Sequence, residues 1–150
     1  MKKAGTWGLV IMLGAVTACA EVATETVEYK HGETVLEGYF AFDDASSALR
    51  PAVLVVHDWM GPSPYVRKRA EQLAKLGYAA FALDMYGKNI RPKDGKEASA
   101  QAGKYKSDRA LMRARAQAGL ERFMKHSMHE GHRLFDRHFA EEIDSEKGPL

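Results

Sequence analysis

The chain has one cysteine, Cys19, in 150 residues. That excludes an internal disulfide framework and any zinc site built on cysteine. It also has little excess charge of either sign. Against 22 Lys and Arg stand 20 Asp and Glu, and the formal surplus of +2 is carried by Lys2 and Lys3, the only charges in the first twenty residues. A remainder that balances to zero gives no electrostatic reason to bind nucleic acid or an anionic membrane. Its longest greasy segment, residues 7–16, is well short of the roughly 20 apolar residues a membrane span needs. What is present is ordinary for a globular protein, 45% hydrophobic and 28% charged, in a length that suits one domain.

The first twenty residues have the form of an export signal. Lys2 and Lys3 are followed by the apolar run WGLVIMLGAV and then by the small residues Ala18-Cys19-Ala20 ahead of Glu21. Two processing routes fit. Cleavage after Ala20 releases a soluble periplasmic or secreted protein and discards Cys19. Val16-Thr17-Ala18-Cys19 also matches a lipobox, in which Cys19 takes a lipid anchor and becomes the new N-terminus. Strand-like sequence begins soon after Cys19 and leaves little tether, which favours the soluble product.

From residue 21 to about 125 the pattern is that of an α/β domain. Residues 24–30 and 34–42 alternate on either side of His31-Gly32 and predict a β-hairpin. Residues 51–57 (PAVLVVH) are continuously apolar and predict a strand buried on both faces, as in a parallel sheet covered by helices. Ser63 as N-cap, Pro64 in the first turn and Gly77 after the last predict a helix over 65–76. Residues 78–83 (YAAFAL) predict a second buried strand, completing a βαβ unit with a right-handed crossover. An Ala-rich helix over 96–105 and a longer one from 108 to about 125, capped by Ser107, follow. Two parallel strands and a hairpin make an incomplete sheet, the front portion of a larger fold. Residues 126–150 differ in texture. They hold four of the six histidines, His126, His129, His132 and His138, and no apolar run longer than two residues.

In open α/β sheets ligands bind beyond the carboxyl ends of the strands. Two loops leave such ends here, residues 57–62 (HDWMGP) and 83–88 (LDMYGK). Position alone balances a functional role for these loops against turn chemistry. His57 at the end of a buried strand is as readily a satisfied structural histidine as a reactive one, and Asp84 suits a turn or cap. The arginines at 109, 113, 115 and 122 suggest a solvated helix face. His126, His129 and His132 form a drifting helical stripe, and Gly131 weakens it as a metal site, so no metal ligand set and no cofactor is assigned.

Several consecutive segments together resemble the dienelactone hydrolase family of α/β-hydrolases, in its exported bacterial branch. They are TVEYKHGETVLEGYFAFDD (26–44), PAVLVVHDWMG (51–61), YVRKRAEQLAKLGYAAFALDMYGK (65–88) and KSDRALMRARAQAGL (106–120). The resemblance covers roughly residues 24–125, the N-terminal portion of the α/β-hydrolase fold. It implies hydrolysis of a small-molecule carboxylic ester or lactone. In the family a Cys, sometimes Ser, sits on a nucleophile elbow, with an Asp and a His later in the chain. The resemblance makes Asp58 the acidic residue that pairs with the resting nucleophile, where Glu is usual. It makes the backbone N–H of Trp59 an oxyanion-hole donor. Tyr86 and Lys88 fall in the substrate loop, Lys88 standing where an Arg is usual, and Lys cannot form the planar bidentate pair.

The departure from the family is as marked as the match. No G-x-[Cys/Ser]-x-G occurs anywhere, and Gly61-Pro62-Ser63-Pro64-Tyr65 lacks the closing Gly. The expectation is therefore a chain truncated before the nucleophile and inactive alone. The alternative is a non-catalytic exported binding protein that uses the His-rich tail for metal.

Overall fold

A computed structural model of the chain describes residues 22–45 and 49–129, with side chains to residue 126. The segment expected to be an export signal and most of the His-rich tail lie outside the described residues. Four strands and three helices alternate in the expected order: β1 (Val22–His31), β2 (Thr34–Asp43), β3 (Ala52–Val56), α1 (Pro64–Lys75), β4 (Ala79–Leu83), α2 (Gly95–Ser107) and α3 (Arg109–His129).

The hairpin is continuous from Val22↔Asp43 to His31↔Thr34 across the Gly32-Glu33 turn. β2 then pairs antiparallel with β4, and β4 parallel with β3, in the sheet order β1-β2-β4-β3. The incomplete mixed sheet matches the sequence reading. One expectation does not hold. β3 was to be buried on both faces, but it lies at the sheet edge and is only half-buried, with Val56 57% exposed. β4, with strands on both sides, is buried throughout.

Helices cover both faces. α1 lays Val66, Ala70 and Ala74 on Ala41, Ala80 and Ala82. Small residues on both partners bring helix and sheet close together. The opposite face is aromatic: Phe40, Phe81 and Leu83 pack against Tyr105 of α2 and Phe123 of α3. Phe81 stacks on Phe123 at 5.5 Å and 10°, and Phe40 meets Phe123 edge-on at 5.4 Å. Gly38 makes this possible, because a Cβ there would lie 2.1 Å from Cζ of Phe81.

Helix ends differ from expectation in their details. Ser63 occupies the N-cap of α1 with extended backbone, and Pro64 follows, but the Ser63 side chain makes no capping bond. At the other end Gly77 N–H bonds Ala74 O and Tyr78 N–H bonds Leu73 O, the paired bonds of a Schellman motif. α3 is capped by Asp108, whose Oδ1 accepts from Leu111 N–H at 2.8 Å, and not by Ser107. The Ser107 hydroxyl instead donates back to the carbonyls of Gly103 and Lys104 at the end of α2. Asp has the stronger claim, since its carboxylate also meets the positive end of the helix dipole.

The solvated arginine face holds at Arg109 and Arg113, which are exposed, and is corrected at Arg115. Arg115 is 7% exposed and donates to Thr34 Oγ1 at 2.8 Å, tying α3 to the start of β2. α3 continues to His129, past residue 125, and the His126 ring is buried edge-on against Phe40 at 4.5 Å, 3.4 Å from Glu25. His126 is therefore a core side chain and not part of a surface stripe. Among the described residues no cluster of three or more metal-ligating side chains occurs, and no helix is long and apolar enough to cross a membrane.

Candidate active site

The two strand-end loops lie side by side because β3 and β4 are parallel neighbours that end together, Val56 opposite Leu83. His57 joins them. Its Nδ1 lies 2.7 Å from Asp58 O, and Met85 N–H donates to its Nε2 at 3.1 Å. An Nε2 that accepts leaves the ring proton on Nδ1, which donates to the Asp58 carbonyl. Both nitrogens are thereby used in holding backbone. Burial pushes the His57 pKa down, against the Asp58 carbonyl and the nearby Asp84 and Asp58 charges, with Arg91 adding to the downward shift. His57 is a neutral structural bridge and has no free nitrogen to act as a general base.

Asp84 builds the second loop. Its Oδ1 accepts from Tyr86 N–H at 2.9 Å and Gly87 N–H at 3.0 Å, and its Oδ2 accepts from Glu37 N–H at 3.3 Å. The Tyr29 hydroxyl donates to Asp84 O and accepts from Asp84 N–H. Burial pushes the Tyr29 pKa well up, so the hydroxyl stays protonated and able to do both. The turn reading of Asp84 is the one the structure bears out.

Asp58 and Trp59 open the first loop. Asp58 is exposed, its Oδ1 accepts from Met60 N–H at 2.9 Å, and its carbonyl accepts from Gly61 N–H at 3.1 Å. Gly61 sits at φ +85° with Tyr86 and Pro92 close behind, a turn that a side chain would strain. Between these bonds the Trp59 N–H meets no acceptor among the described residues. A free backbone donor at the carboxyl end of a parallel strand, fixed by bonds on both sides of it, is what an oxyanion hole requires. The Trp59 indole is 50% exposed, and its carbonyl accepts from the Tyr86 hydroxyl at 2.8 Å.

The remaining sequence candidates fall differently. Tyr86 is buried, stacks on Tyr105 and meets His57 edge-on at 4.7 Å, and burial raises its pKa. It joins the two loops rather than standing in open space. Lys88 pairs with Glu28 of β1, which raises its pKa, so its ammonium is directed toward the hairpin. Thus Asp58, Trp59 and Tyr86 come together, while Lys88 stands aside. Sequence reasoning missed Glu37, Arg67 and Arg91. One carboxylate oxygen of Glu37 meets Arg67 at 2.9 Å and Arg91 at 3.6 Å. No local pattern marks a contact among a strand, a helix and a loop.

The model of the dienelactone hydrolase family matches residues 36–134, which include both loops and all three helices. The chain belongs to the dienelactone hydrolase family. Its relatives include the YghX hydrolase fragment of Escherichia coli K12, 38% identical over 68 residues in an alignment that covers 43% of this chain and 56% of that protein. Among solved structures it resembles a dienelactone hydrolase-like promiscuous phosphotriesterase from metagenomic libraries, with TM-score 0.66 and 33% identity over 77% of this chain. It also resembles the structure m3DLH, with TM-score 0.64 and 31% identity over 67% of this chain. The chain spans 56% of the curated relative and only 45% and 42% of these two structures. The loops described above lie within the matched region.

Proposed function

We propose that this chain carries the oxyanion-donating part of a hydrolase site for small carboxylic esters or lactones, and that it is inactive alone. The observation that carries this is the Trp59 N–H, unengaged among the described residues and held by the Asp58 turn at the end of β3. In the reaction a thiolate or alkoxide attacks the ester carbonyl. The carbonyl π electrons move to oxygen, and the Trp59 N–H donates to the negative charge that develops there. Collapse of that tetrahedral species breaks the acyl C–O bond, and the leaving oxygen takes a proton from the base of the completed site acting as its acid. The acyl-enzyme left behind (still carrying the alcohol when the substrate is a lactone) is hydrolysed by water. Asp58 is exposed beside the donor, in the place of the family's acidic partner to the resting nucleophile.

No Gly-x-[Cys/Ser]-x-Gly elbow occurs in the sequence, and no cysteine lies among the described residues. Cys19 falls in the export signal, and His57 has both nitrogens committed. The reading requires a nucleophile and a base from outside the described residues. Two experiments test the reading. Translating all three forward frames of the gene from codon 100 to at least 400 bases past the stop is expected to show a buried strand, then Gly-x-[Cys/Ser]-x-Gly, then Asp and His. Their absence in every frame would overturn the truncated-hydrolase reading. The purified chain is expected to hydrolyse 4-nitrophenyl acetate no faster than the buffer alone, and turnover above that level would overturn the claim that it is inactive alone.

The chain is also proposed to be exported, on the strength of Lys2-Lys3, the apolar run and Ala18-Cys19-Ala20. Mass spectrometry of the mature N-terminus decides the route. A chain beginning at Glu21 is the soluble product, an acylated Cys19 is the lipoprotein, and an intact Met1 refutes export.

A further inference from the structure

Each loop of the candidate site hangs from a separate element, and the spacing between them has to be set by something. The first loop runs directly into α1, where Arg67 lies in the first turn with its N–H on Ser63 O at 3.2 Å. The second loop leaves β4 and contains Arg91. The Arg91 Nη1 donates to two carbonyls of its own loop, Gly87 O at 3.3 Å and Ile90 O at 2.9 Å. The other guanidinium nitrogen, Nη2, lies 3.6 Å from Glu37 Oε1, the same oxygen that Arg67 Nη2 meets at 2.9 Å. Glu37 is itself fixed at this level of the sheet, because its backbone N–H donates to Asp84 Oδ2. Arg67 is further steadied over the Tyr39 ring at 5.1 Å, and the Tyr39 hydroxyl donates to Glu71 at 2.8 Å.

We infer that Glu37 is a positioning residue that clamps the two loops of the site at a fixed separation through Arg67 and Arg91. The inference rests on the proposed function for its meaning, since an oxyanion donor is useful only if the opposing substrate loop stays in register with it. The physical argument is one of charge. Two guanidiniums converging on one oxygen repel each other, and the carboxylate between them offsets that repulsion. The Glu37 side chain is mostly buried, so water screens this arrangement less than it would an open surface pair. Neutralising Glu37 leaves two like charges facing each other and pushes the first turn of α1 away from the second loop.

The experiment reads loop structure and not turnover, so its failure is separate from failure of the hydrolase reading. Amide hydrogen exchange is measured by NMR on the full chain for wild type, Glu37→Gln and Arg91→Met. Glu28→Gln serves as a control that removes a charge from the Lys88 pair outside the clamp. In Glu37→Gln the amides of Met60 and Gly61 and those of Gly87 and Ile90 are expected to exchange about tenfold faster, while β1–β2 amides are unchanged. Arg91→Met keeps the Arg67–Glu37 pair and is expected to loosen only the second loop. In a Trp7→Phe background Trp59 is the single tryptophan, and its emission is expected to shift in Glu37→Gln and not in Glu28→Gln. Acceleration in neither loop, in one loop only, or equally throughout the sheet overturns the clamp. Should Glu37→Gln fail to fold, acceleration of both loops in Arg91→Met overturns it as well.

Discussion

His57 shows how a residue that looks reactive in sequence is used to join backbone. Its two ring nitrogens bridge the Asp58 carbonyl and the Met85 N–H, so the neutral imidazole is the form the fold needs. A histidine whose folded pKa lies below its ordinary value of 6.5 takes up a proton more readily unfolded than folded. Its stabilising contribution is therefore complete above pH 6.5 and is lost as pH falls through that value toward the depressed folded pKa. Urea midpoints from pH 7.5 to 5.5 are expected to fall in wild type and to fall less in His57→Gln, which can still donate to Asp58 and accept from Met85. Asp84 makes the complementary case. Asp84→Asn keeps an acceptor for one side of the site but turns an N–H₂ toward a backbone donor on the other, where Oδ1 and Oδ2 now accept three N–H bonds. A loss of about 2–3 kcal/mol in urea unfolding is expected, because a buried backbone donor is left unpaired. Sequence alone could place both residues at strand ends, and it could weigh turn against catalysis, but it could not count their hydrogen bonds. The Arg67–Glu37–Arg91 contact was out of its reach, since it joins three elements with no shared spacing.

The order and type of the elements were legible because each has its own periodicity or terminator. The hairpin alternates, β4 is an unbroken apolar run between Gly77 and Asp84, and α1 is framed by Pro64 and Gly77. The failures came where two neighbouring residues could do the same task or where tertiary position overrides pattern. Ser107 and Asp108 both suit a cap, and only the bond to Leu111 N–H decides for Asp108. Arg115 lies among exposed arginines in sequence, yet it faces Thr34 once α3 is laid on the hairpin. The fit between elements also depends on Gly38, which the sequence presents as an ordinary strand glycine. Phe81 of β4 occupies the space a Cβ at 38 would need, at 2.1 Å from Cζ and 2.5 Å from Cε2. Phe81 is wedged between Phe40 and Phe123 and has no free direction to move. Gly38→Ala is therefore expected to cost at least about 1–3 kcal/mol, the usual range for an overpacked core. Loss of near-ultraviolet circular dichroism ahead of far-ultraviolet signal on urea titration would identify the aromatic packing as the part that yields first.

At the scale of the whole molecule the informative feature is the free edge of β3. The strand AVLVV carries no charge, no proline and no bulge, the devices that keep edge strands from pairing with other chains. Its composition is that of an interior strand, which is why the sequence predicted burial on both faces. Among the described residues it has β4 on one side only, and Val56, Leu49 and Leu76 are exposed. A strand of interior composition at an edge presents unpaired backbone donors and acceptors to another copy. The consequence is association that rises with concentration. Val56→Lys places a charge on that edge at an exposed position, where substitution changes stability by no more than about 0.5 kcal/mol. The variant is expected to keep the wild-type urea midpoint while light scattering at high concentration falls. Equal scattering from both would show that the β3 edge is not where copies meet. A lowered midpoint would show that Val56 contributes more to the fold than its exposure implies.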